Sequence, residues 1–181
     1  MNIETTRIAL ITRLAEKSPR LGRTALMKYC YFLQTLRGIP LGYSFSLYSY
    51  GPFDSDVLAD LDATEAMGGV KTELVYYPGG YGYQIVPGTR TDGAKRWGAD
   101  FLSQYENDID WVTAQFGNLS AAQLELASTI IYSDREAIAN SERLKVDQLA
   151  QRVHDVKPRF SEAQILGLLS DLQKREFLKS V

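Results

Sequence analysis

The chain has 181 residues, 45% of them apolar and 23% charged, with 20 Lys+Arg against 22 Asp+Glu for a net charge of −2. That composition excludes disordered, collagen-like and membrane chains, one Cys excludes an internal disulfide, and one His with one Cys excludes the usual zinc sites. The length fits one domain or two small ones, and the near-neutral total makes no global case for nucleic-acid binding.

MNIETTRIALITRLAEK has neither the apolar core nor the cleavage site of a signal peptide, and no apolar run approaches the roughly 18 residues of a membrane helix. With Cys30 in an apolar helical stretch, the expected compartment is the cytoplasm.

Ile8, Ile11, Leu14 and Ala15 recur at helical spacing and predict a first helix from about Thr5 to Lys17. A second runs from about Thr24 to Leu36 and stops at Gly38-Ile39-Pro40. Tyr43 to Tyr50 alternates with period two and predicts a strand, with Tyr48 and Tyr50 on one face and Gly51-Pro52 ending it. Asp54 then caps a helix from about Ser55 to Ala66. VKTELVYY, a Pro78-Gly79-Gly80 turn and YGYQIV predict a β-hairpin.

Trp97, Phe101, Tyr105, Ile109, Val112 and Phe116 predict one long helix from about Asp92 to Phe116, with Gly98 its weak point. Ser120 with Gln123, and Ser161 with Gln164, are capping boxes. The helix begun at Ser120 is expected to end near Tyr132, a short one to follow Asp134, and another to span Val146 to Val156. The expected fold class is α+β, mainly α. A winged-helix-like lobe (residues 1–90) with a small antiparallel sheet precedes a helical lobe (91–181) made of the long connecting helix and a tri-helical unit. The two lobes are expected to pack as one compact unit.

LGRTALMKYCYFLQTLRGIPLGYSFSLYSYGPFDSDVLADL resembles the start of the YwgA-like bacterial and archaeal proteins. It is more distantly similar to the antitoxin domain called Panacea, or SocA-like. The shared pattern is a helix with Lys28 to Leu33, an aromatic strand ending in Tyr50-Gly51-Pro52, then a helix. LSAAQLELASTIIY and VKPRFSEAQILGLL resemble the YwgA-like C-terminal half. The YwgA-like resemblance spans most of the chain, and the Panacea one about the first 90 residues. Panacea-type domains are antitoxins that neutralise toxins by direct contact, and one member is an adaptor presenting its toxin to a protease. The resemblance implies a non-enzymatic protein-interaction module, antitoxin-like or an adaptor in bacterial defence or stress. Its partner would be a protein such as a toxin or a protease. No catalytic residue carries over, and no cofactor, metal or membrane partner is expected.

Charge tests the alternative, a DNA- or RNA-binding regulator. Residues 1–40 sum to +5, 41–70 to −5, 71–100 to +1, 101–140 to −5 and 141–181 to +2. The helix before the hairpin, the usual groove reader of a winged helix, bears Asp56, Asp60, Asp62 and Glu65, which phosphates repel. The candidate nucleic-acid face is therefore Arg13, Lys17, Arg20, Arg23 and Lys28, a set that must converge to hold phosphate and otherwise is an ordinary solvated face. The candidate protein interface is Tyr48, Tyr50, Tyr76, Tyr77, Tyr81 and Tyr83. Tyrosine buries large area at low entropic cost in interfaces, but it also packs across strands within a sheet. His154 and Cys30 lack the partners of a triad or nucleophile motif; an enzyme of unrecognised type is the third reading.

Overall fold

The structure is a computed structural model that describes residues 2–181. The described residues hold eight helices and two two-stranded antiparallel sheets, an α+β architecture that is mainly α. They divide into two compact units, the first made of residues up to Phe45 plus Asp54–Leu119, the second of Ser46–Phe53 plus Ser120–Val181.

In the first unit, α1 (Ile3–Lys17) is capped by the Asn2 side chain and buries Ile8, Leu10, Ile11 and Leu14. Next, α2 (Arg23–Arg37) ends at Gly38, whose φ of 68° is the left-handed C-cap that glycine adopts without a Cβ penalty. Asp54 caps α3 (Ser55–Ala66) by accepting from the Asp56 amide, as the sequence predicts. The hairpin pairs β3 (Val70–Tyr77) with β4 (Gly80–Pro87), Tyr77 opposite Gly80. Gly79 takes φ 98° at the turn after Pro78, the positive angle that a turn with proline first and glycine second requires.

The long helix predicted from Asp92 to Phe116 is two helices, α4 (Thr91–Arg96) and α5 (Ala99–Phe116), parted at Trp97-Gly98. A Cβ on Gly98 would lie 2.6 Å from Ala9 Cβ, so the glycine marks a close approach to α1. The boundary predicted at residue 90 also moves. Phe101, Ile109, Val112 and Phe116 of α5 are buried, and Phe116 stacks on Phe32 of α2 with ring centroids 4.0 Å apart. Each such ring contributes about 1.5–3 kcal/mol by leaving water, which ties α5 to the first unit.

In the second unit, α6 (Ala121–Ala139), α7 (Val146–Val156) and α8 (Glu162–Lys174) pack against one another around Ile130, Leu149, Val153, Ile165 and Leu169. The capping boxes at Ser120 and Ser161 are both formed. The break expected near Tyr132 does not occur. Asp134 caps nothing there; it is buried within α6 and accepts from the Lys179 and Ser180 amides at 3.0 and 2.8 Å and from Ser180 Oγ at 2.6 Å. A side chain bonded that far along the chain has no reason to interrupt its own helix.

The strand predicted over Tyr43–Tyr50 is shorter and differently placed. β1 (Ser46–Tyr48) pairs with β2 (Gly51–Phe53) around a Ser49-Tyr50 turn. Gly51-Pro52 thus continues the sheet instead of ending it, and Tyr50 sits in a turn, not on the strand face of Tyr48.

Candidate interaction surfaces

The six tyrosines singled out by the sequence are all exposed, from 40% at Tyr83 to 78% at Tyr76. The β3–β4 register sorts four of them. Tyr76 lies opposite Tyr81 and Leu74 opposite Tyr83, so these four side chains share one face of the hairpin, while Tyr77 falls on the other. The shared face begins in the core at Val70 and Ile85 and becomes exposed toward the tip. Tyr81 and Tyr83 meet edge to face, centroids 6.3 Å apart, and the Arg23 guanidinium lies 4.3 Å over the Tyr83 ring. The two strands put no charged side chain on this face, where the charge is that of Arg23 over Tyr83; Lys71 and Glu73, on the opposite one, pair with each other at 2.9 Å.

The base of this hairpin is fixed by main-chain bonds. The Ile85 amide donates to Leu21 O at 2.7 Å, and Gly22 bridges to Gln84, so the segment before α2 covers the inner part of the β4 edge. A Cβ on Gly22 would lie 3.2 Å from Tyr83 O. On the β3 side, the Thr72 amide donates to Glu65 Oε1 at 2.6 Å.

Tyr48 and Tyr50 belong to the second unit, where their turn is braced from below. Lys157 is only 4% exposed. Its ammonium donates to Tyr48 O at 3.1 Å and to Ser49 O, and lies 3.2 Å from Glu125 Oε1, off the line of a hydrogen bond. Glu125 is 2% exposed; its Oε2 pairs with Arg159, whose half-exposed guanidinium faces the Tyr50 ring at 5.9 Å and the Phe160 ring at 4.9 Å. Gly51, at φ 85°, rests on α6, where a Cβ would come within 2.9 Å of Ser128 Oγ and 3.1 Å of Thr129 Oγ1. Sequence reading did not single out Glu125, Lys157 or Arg159. The available signal was the polar stripe Glu125-Ser128-Thr129 inside an apolar helix, which marks a side where backbone approaches closely.

The five candidate cations do not form one face. Arg13 pairs with Glu16 at 2.9 Å and with Glu106; Lys17 pairs with Glu106 at 2.8 Å and with Asp110. Hydrogen bonds from Arg13, working against burial and aided by Lys17, hold the Glu106 carboxyl well below its ordinary value, at about 2. Lys28 is buried. Arg23 is committed to Tyr83, and Arg20 is exposed. The acidic residues of α3 are partly inward as well. Asp60 accepts from Tyr43 Oη at 2.8 Å and from Arg7 at 3.4 Å, while Arg7 Nε donates to Leu41 O at 2.8 Å. Asp56 and Asp62 stay exposed.

Burial pushes the Cys30 thiol up to about 12. His154 Nδ1 lies 3.2 Å from Phe160 O. Among the described residues no three His, Cys, Asp or Glu side chains are grouped to hold a metal, and no helix is long and apolar enough to cross a membrane. No protein-family model matches the chain, and no curated protein matches it.

Proposed function

We propose that the chain is a non-enzymatic, cytoplasmic protein-interaction module. Its resemblance to YwgA-like and Panacea-type proteins points to an antitoxin-like or adaptor role with a protein partner such as a toxin or protease. One observation carries this reading: Tyr48, Tyr50, Tyr76, Tyr77, Tyr81 and Tyr83 all stay exposed, even where Tyr48 packs on Phe53 and Tyr81 on Tyr83. Tyrosine and arginine dominate the energetics of protein interfaces, and both hairpins place an arginine over an exposed tyrosine. The turn that carries Tyr48 and Tyr50 is further held by a buried lysine, which bonds its main-chain carbonyls and so pre-organises its backbone. The order of three helices and a hairpin, with Leu21-Gly22 joining the β4 edge, supports the winged-helix reading.

The dispersal of Arg13, Lys17 and Lys28 into ion pairs and the interior weighs against the nucleic-acid reading, because phosphate affinity needs convergent free cations. The test is affinity capture at endogenous expression with wild type, Tyr76→Ser/Tyr81→Ser and Tyr48→Ser/Tyr50→Ser. Wild type should retain a stoichiometric partner that at least one double variant loses, with thermal unfolding of the variants unchanged. Recovery of wild type only as a free chain contradicts the proposal.

A further inference from the structure

We infer that the open edge of β3 is a strand-addition site for an extended, uncharged segment of a partner protein with apolar side chains at alternate positions. This rests on the interaction-module reading and assigns it a mode of recognition.

The phase of the hairpin decides which backbone groups are free. Tyr77 and Gly80 flank a two-residue turn and so form a hydrogen-bonded pair; with period two, Val75–Gly82 and Glu73–Gln84 are hydrogen-bonded pairs as well. Thr72, Leu74 and Tyr76 occupy the alternate positions, where N–H and C=O point away from β4. Two bonds outside the ladder agree with that phase: the Thr72 amide turns outward to Glu65, and the Ile85 amide, opposite Thr72, turns outward on its own side to Leu21. Past Thr72, Leu74 and Tyr76 make no hydrogen bond through their outward groups among the described residues. The β4 edge does not offer the same run, because Leu21-Gly22 covers it at Gln84 and Ile85. Unpaired edge groups in sequence are a template for another strand.

The side chains beside that edge fit the same guest. Leu74 and Tyr76, on the face that Tyr81 and Tyr83 continue on β4, are uncharged and exposed, so a strand laid on β3 sets every second side chain beside them. Strand addition draws affinity from main-chain hydrogen bonds and specificity from such alternate contacts. A second copy of this chain is a poorer occupant. Paired edge to edge through β3, each copy covers only the exposed parts of Leu74 and Tyr76 of the other, roughly 200–280 Å² with a tyrosine burying about 150–250 Å² when fully covered. Two copies would therefore bury roughly 400–550 Å² of side-chain surface, short of the roughly 1,200–2,000 Å² of a stable interface.

The experiment selects binders from a displayed library of random linear peptides on the full chain, then follows backbone amide exchange with the best peptide. In the free protein the Leu74 and Tyr76 amides should exchange quickly and those of Val75 and Tyr77 slowly. The peptide should slow Leu74 and Tyr76 by about tenfold or more and leave Val75 and Tyr77 little changed. N-methylating alternate residues of the peptide, which cannot affect folding of the protein, should abolish binding. Leu74→Pro should abolish it too, since that amide donates nothing to β4. Failure to select any peptide, protection elsewhere, or binding that survives N-methylation overturns the inference. Protection of Leu74 and Tyr76 that appears with rising protein concentration alone also overturns it, in favour of self-pairing. If a partner is still captured by wild type in any of these cases, the interaction-module reading stands and only the strand-addition mode falls.

Discussion

Lys157 and Glu125 form a buried ion pair in which the ammonium, 3.2 Å from Glu125 Oε1, also donates to the carbonyl of Tyr48 at 3.1 Å. One charge thus closes the second unit and fixes the turn that presents two exposed tyrosines. Removing one partner of a buried pair costs about 3–5 kcal/mol when it leaves the other charge uncompensated. Arg159 still faces Glu125 Oε2, so Lys157→Met should lower stability to urea by less than that. Glu125→Leu with Lys157→Met should recover part of the loss but not all, because the Tyr48 and Ser49 carbonyls still lack their donor. Additive losses in the double variant would show that the pair is not coupled.

Gly98→Ala tests the joint between α4 and α5. The backbone there, at φ −119°, admits any residue, so the cost arises mainly from the 2.6 Å approach to Ala9 Cβ, with a lesser one from Thr5 O at 3.2 Å. Overpacking of this kind costs about 1–3 kcal/mol. Ala9→Gly in the same chain should return much of it, and chemical denaturation of the four members of the cycle measures the coupling.

Glu106 gives the first unit an acid-sensitive tie between α1 and α5. Its carboxyl is held near 2 in the folded chain by Arg13 and Lys17 against an ordinary value of 4.5. The folded state therefore binds this proton less readily than the unfolded state. The stabilisation is fully present above about pH 4.5 and is lost as pH falls toward 2. Glu106→Gln should lower stability at neutral pH by about 0.2–1 kcal/mol, as for a largely surface pair. It should also flatten the stability–pH curve across that acid window. A wild-type curve already flat there contradicts the assignment.

Cys30 should be chemically silent. It is fully buried, and burial raises its thiol to about 12, so thiolate is scarce at neutral pH. A disulfide reagent such as DTNB should label it only on unfolding, at a rate that follows denaturant concentration. Rapid stoichiometric labelling of the native chain contradicts this.

The features legible in the sequence are those set by local chemistry. Pro78-Gly79 between two aromatic runs identifies the hairpin, and Ser120/Gln123 and Ser161/Gln164 identify helix starts, because the deciding groups lie within a few residues of one another. The six tyrosines are nominated by type, and the hairpin register then places Tyr76, Tyr81 and Tyr83 together and Tyr77 apart. Features set by distant partners were not legible. The split at Gly98 is imposed by Ala9, the continuity of α6 by Asp134 reaching Ser180, and the fate of the basic N-terminal block by Glu106 and Asp110. A charge total by segment counts Arg13 and Lys17 as free and cannot see that α5 neutralises them.

The central claim is that the exposed tyrosines meet a protein partner, and site-specific photo-crosslinking in living cells tests it most directly. A benzophenone amino acid replaces Tyr50, Tyr76 or Tyr81, with exposed Asp62 and Gln151 as controls. The account predicts a discrete adduct with one other protein from a tyrosine position and none from the controls. No adduct from any tyrosine position, or the same adducts from the tyrosines and the controls, would contradict it.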